Sequence, residues 1–155
     1  MKKINYFLIL TFTIFFNSCS TTSVVKSNGV TVASGTEVPY NKISNESFAE
    51  NYIGADVIVN CAFLSSQSTA GYTTKKPPKN HFAFRVTNPD VQPSKNELTG
   101  ALVGLVVFAP MEYSDFVFGL KAGDKLQLRG GTLVTKIALI DNRYVHFKAT
   151  KIEKK

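Results

Sequence analysis

Tryptophan is absent from the 155 residues, and cysteine, histidine and methionine occur twice each. The only histidines are His81 and His146 and the acidic residues are scattered, so the chain has no HExxH-type metal motif and no paired carboxylates of the glycosidase kind. No metal or other cofactor is expected, and the chain reads as non-enzymatic. Catalysis would need a site assembled only in three dimensions, with Cys61 brought to a histidine that local spacing does not supply. Acidic side chains are the scarcer charge, 11 against 18 basic, giving +7 overall. With Lys2 and Lys3 assigned to a leader, 16 basic side chains face 11 acidic ones, a net of +5. That excess suits anionic surfaces or polymers, and it equally suits ordinary solubilising charge.

Phenylalanine is abundant instead. Twelve Phe and six Tyr, within 44% apolar and 19% charged residues, can supply the core of one ordinary domain. At the start Lys2 and Lys3 precede a stretch from Ile4 to Phe16 that is almost wholly apolar or hydroxyl-bearing. A positive start and a short hydrophobic core are the physical form of a secretory leader, and the run is too short for a comfortable membrane span. Ser18 before Cys19 resembles a bacterial lipobox, in which cysteine sulfur carries the lipid; Phe16 and Asn17 depart from the preferred residues. Two readings follow: a lipoprotein with signal peptide 1–18 and an acylated Cys19, or a secreted protein with an incidental cysteine. In the first, Ser20 fits outer-membrane sorting by analogy with enteric bacteria. Cys61 is then the one free thiol, and its apolar surroundings predict a small buried side chain.

Residues 19–44 are rich in Ser, Thr, Asn and Gly and predict a flexible tether, with Val30, Val32 and Val38 as an alternative edge strand. The folded domain is expected over 45–155. A helical turn at Asn45–Tyr52 leads to a first strand in which Val57, Val59, Cys61 and Phe63 alternate with Ile58, Asn60, Ala62 and Leu64. Ser65–Asn80 is a long loop carrying Tyr72, Lys75, Lys76, Pro77, Pro78 and Lys79. It is the strongest binding-loop candidate, its lysines suited to phosphates or anionic glycans and its tyrosine to stacking; a plainly solvated loop is the other reading. Phe82, Phe84 and Val86 alternate with Ala83, Arg85 and Thr87 in a second strand. Ala101–Ala109 reads as a buried third strand interrupted by Gly104. Tyr113, Phe116, Val117 and Leu120 then take helical spacing, predicting a short helix with one apolar stripe. Lys125–Arg129 opens a fourth strand, Asp141 and Asn142 mark a hairpin, and Val145–Ile152 closes as a fifth.

This order, with the run Gly119–Gly131 in which glycine and aspartate lead into strand four, resembles the OB fold, and in particular the tRNA-anticodon-binding-like OB domains, across Tyr52–Ile152. The resemblance implies an all-β, five-stranded Greek-key barrel with a short helix between strands three and four. It places binding on strands two and three and on the loops after strands one and four: Arg85, the Lys75–Lys79 region, and Asp141 to Tyr144 with Arg143. No outward aromatic pair is readable on strands two and three, and His81 and His146 read as strand-end or surface residues. The expected function is that of a lipid-anchored envelope binding or adaptor module, meeting an envelope protein or anionic polymer, with nucleic acid an unlikely partner because the chain is exported. The alternatives are an envelope enzyme or a binder of single-stranded nucleic acid or another anionic polymer.

Overall fold

The computed structural model describes residues 24–27, 30–66, 76–92, 103–137 and 142–155. The leader, Cys19, Tyr72, Lys75 and Asp141 lie outside the described residues. In chain order the elements are β1 (Val24–Ser27), β2 (Val30–Ala33), β3 (Thr36–Glu37), α1 (Tyr40–Ser44), α2 (Glu46–Ala49), β4 (Val57–Ser65), β5 (His81–Thr87), β6 (Leu105–Pro110), α3 (Ser114–Phe118), β7 (Lys125–Ile137) and β8 (Asn142–Lys154). Single 3-10 turns at Glu50–Tyr52 and Met111–Tyr113 follow α2 and precede α3.

The long strands close on themselves. β4 pairs antiparallel with β7 over Val57–Ala62 and with β5 over Ala62–Ser65, the register shifting between Phe63 and Ser65. β5 pairs antiparallel with β6, β6 runs parallel to β8, and β8 returns antiparallel to β7. The circuit β4–β5–β6–β8–β7 is a small mixed five-stranded barrel of OB-fold-like strand order. β1 and β2 form a separate two-stranded ribbon.

Alternation decides which side chains fill the barrel. Val57, Val59, Cys61, Phe84, Val86, Val107, Leu126, Leu128 and Phe147 are all buried in one core, and Val117 of α3 joins them. The ring of Phe84 lies 6.2 Å from Phe63 and 5.9 Å from Phe82 by centroids, so aromatic packing substitutes for the missing tryptophan. Burial pushes the Cys61 thiol up to about 12, which leaves it protonated and inert at neutral pH.

Two glycines set how closely the strands approach. A Cβ on Gly104 would stand 2.5 Å from the Val86 carbonyl oxygen, so only glycine lets the chain enter β6 this close to β5. The barrel bends at a bulge between Arg129 and Gly130, where a Cβ on Gly130 would fall 2.0 Å from the Lys148 carbonyl oxygen.

Three expectations need correction. Residues 19–44 are not all tether: Val32, Val38 and Ile43 are core residues, because β3 lies parallel along the start of β4 and α1 packs behind it. The apolar stripe of the 111–120 segment is incomplete, since α3 has only five residues and exposes Phe116 while burying Val117. His146 is not a surface residue; it is 1% exposed.

Tyr40 ties α1 to the barrel. Its hydroxyl donates to the Val86 carbonyl at 3.0 Å and accepts from the Leu105 N–H at 3.1 Å, bridging the open end of the β5–β6 ladder. Burial pushes its phenol up to about 12, against the opposing pull of the Leu105 N–H, so it stays neutral and able to donate. Tyr40→Phe strands one donor and one acceptor, and a loss of about 1–3 kcal/mol in denaturant unfolding is expected.

Candidate binding face

Because Phe84, Val107 and Phe147 point into the core, the residues between them point out. The register sets two rows across the outer wall of β5, β6 and β8: Arg85, Val106 and His146 in one, and Ala83, Phe108 and Lys148 in the next. Between the rows, Phe108 and His146 stack with centroids 5.0 Å apart and planes at 13°. Both are 1% exposed although they lie on the outer side of the sheet. Arg85 is half-buried and Lys148 is exposed, so a cation stands on either side of the ring pair.

The remaining candidates divide around this wall. Lys76 and Lys79 are exposed on the approach to β5, where the Lys79 carbonyl oxygen lies 2.8 Å from His81 Nδ1. From His81 to Arg85 is about 13 Å of strand at ~3.3 Å per residue, and the outward positions between them form one continuous edge of the wall. Tyr144 is half-buried, two residues before His146, and lines a cleft of about 450 Å³ with Thr87, Val91, Val103 and Tyr40. Arg143 belongs to β8, paired with Lys136, and its side chain lies outside the described residues. Arg85 and Tyr144 thus share the wall, and the two described lysines stand at its entrance.

The wall was only half visible in sequence. Phe108 hides in a run that is apolar at every position, and His146 reveals its outward face only through its alternation with Phe147. On strands two and three the ring pair draws only on Phe108; its partner His146 comes from β8, the closing strand.

A second cationic region lies around the bulge. Arg129 and Asp56 are joined by a bond of 2.6 Å from Nη2 to Oδ2, with Arg129 Nε also donating to the carboxylate and Ser34 Oγ donating to it at 2.5 Å. They border a groove of about 640 Å³ with Gly130, Gly131, Lys148 and Lys151. Among the described residues no group of three or more His, Cys, Asp or Glu is placed to hold a metal ion.

No protein-family model matches the chain and no curated protein matches it. Among solved structures it is similar to one described as an aspartyl-tRNA synthetase from Leishmania major Friedlin, at 13% identity and a TM-score of 0.42. That match covers 84% of this chain but 22% of the other, so the chain spans less than a quarter of the synthetase's length. It is also similar to a small single-stranded DNA-binding protein from Streptomyces coelicolor, at 13% identity and a TM-score of 0.37, over 68% of this chain and 95% of that one. The expectation that nucleic acid is an unlikely partner is withdrawn, because it rested on export and not on the wall, where Arg85 and Lys148 stand on either side of a ring pair.

The ion pair makes a pH prediction. The Arg129 guanidinium, helped by Ser34, holds the Asp56 carboxyl below its ordinary value of 3.8. A depressed folded-state value means this contribution is present above the unfolded value and is lost as pH falls through the folded one. In acid titrations followed by circular dichroism, Asp56→Asn should show a shallower loss of stability below about pH 4 than the parent chain.

Proposed function

We propose that this chain is a non-enzymatic binding module that holds an extended anionic polymer, single-stranded nucleic acid first among the candidates, across the outer wall of β5, β6 and β8. The observation that carries this reading is the juxtaposition of Arg85 and Lys148 on either side of the stacked Phe108–His146 pair, with Lys76 and Lys79 at the wall's entrance. Backbone phosphates demand cations at intervals along a groove, and the buried ring pair gives those cations a stiff, dry floor from which to act. In the same reading the leader ends at Ser18 and an acylated Cys19 holds the module at a cell-envelope membrane.

Two measurements test these parts separately. Fluorescence anisotropy with a labelled oligothymidylate should show binding that weakens with salt, with Lys148→Glu and Arg85→Ala each reducing affinity about tenfold and Lys148→Glu lowering the log–log salt slope by about one. Equal affinity in parent and variants would reject the wall. Retention of an anionic glycan in place of the oligonucleotide would keep the wall and change the polymer. Labelled palmitate should enter the parent protein in a bacterial host and be absent from Cys19→Ala.

A further inference from the structure

The barrel end at α3 presents a surface that meets the polymer-binding wall only at Lys79. α3 buries Val117 in the core and leaves its neighbours outside: Phe116 is 38% and Phe118 58% exposed, and Met111 in the preceding turn is 51% exposed. The Phe118 ring packs on half-buried Phe82, 5.5 Å away by centroids, so the apolar surface continues onto the start of β5. Three large apolar side chains are exposed within eight consecutive residues, the densest such group among the described residues; Val30, Phe48, Ile53, Val91 and Val103 are spread more widely.

Three exposed lysines and three acids border this patch, one of the acids being paired with Lys154. The Met111 N–H donates to the Asn80 carbonyl oxygen, which sets exposed Lys79 beside the patch, and exposed Lys121 and Lys125 follow α3 in the turn into β7. The acids nearby are Glu112 and Asp115 on the segment itself, together with Asp124. Asp124 is already engaged, by the Lys121 N–H and by an ion pair with Lys154 at 3.0 Å.

We infer that this end of the barrel seats on an anionic lipid bilayer, with Phe116, Phe118 and Met111 entering the headgroup region and Lys79, Lys121 and Lys125 meeting lipid phosphates. Aromatic and thioether side chains on a short turn, bordered by lysines, match the chemistry of that interface: apolar surface for the acyl boundary and positive charge for the anionic headgroups. The contact is separate from any acyl anchor on Cys19. Of the residues assigned to the polymer-binding wall and its entrance it uses Lys79 alone.

The absence of native tryptophan gives a position-specific test. Phe118→Trp and, as a control at an exposed site away from α3, Val103→Trp are made separately in the full chain and mixed with phosphatidylcholine vesicles with or without phosphatidylglycerol, carrying brominated acyl chains. The inference expects emission of the residue-118 reporter to shift to the blue and be quenched in the phosphatidylglycerol vesicles, while the residue-103 reporter is unaffected. Adding Lys121→Glu and Lys125→Glu should reduce the quenching several-fold with the circular dichroism spectrum unchanged. Equal quenching at both positions would assign vesicle binding to the N-terminal apolar run and overturn the inference, as would no quenching at residue 118. A blue shift without vesicles, accompanied by dimer on gel filtration, would assign the patch to a second copy of the chain.

Discussion

A five-stranded sheet closes only if one strand pairs on both edges with strands that are far apart in sequence, and in this chain β4 carries that burden. Val57–Ala62 pair with β7 while Ala62, Phe63 and Ser65 pair with β5, so Ala62 belongs to both ladders. Two local departures make this possible. The register shift between Phe63 and Ser65 steers the end of β4 toward β5, and the bulge at Arg129 and Gly130 turns β7 between its pairing with β4 and the rest of its pairing with β8. At that bulge the Lys148 carbonyl oxygen occupies the place where any Cβ on residue 130 would be. Closure, and with it the inside–outside assignment of every barrel residue, therefore depends on a glycine there.

Once the barrel is closed, period-two alternation distributes chemistry between the core and the wall. The core takes Phe84, Val107 and Phe147; the wall takes Arg85, Phe108, His146 and Lys148 from the same three strands. No short segment carries this grouping. Arg85 and His146 come from strands far apart in sequence and are brought into one row through Val106, by the pairing of β6 with β5 on one side and with β8 on the other. The same logic unites Asp56 with Arg129, 73 residues apart, into an ion pair that fastens the segment before β4 to the bulge.

What was readable in sequence follows from the same physics. Strands with a clean period, Val57–Phe63, Phe82–Val86 and Val145–Ala149, announce both their type and their inner face. Gly104 and Gly130 mark the places where backbones crowd; Gly104 signals it by interrupting an apolar run and Gly130 by standing in a glycine pair within a strand. Other features were hidden for identifiable reasons. The all-apolar run before Pro110 has no period to say which side Phe108 faces, and Val32, Val38 and Ile43 are spaced too widely among polar residues to look like core. Phe116 fits a helical stripe that a five-residue helix is too short to bury. Ion pairs and ring stacks between distant strands depend on topology, which local pattern does not encode.

The wall of β5, β6 and β8 as the polymer-binding surface is the central claim, and backbone amide chemical-shift mapping with an unlabelled oligothymidylate tests it most directly. The account predicts that titration moves resonances in a contiguous set spanning Arg85, Val106, His146 and Lys148, extending to Lys79 at the entrance. Shifts concentrated instead at Asp56, Gly130 and Gly131, or at α3, with the wall unchanged, would contradict it.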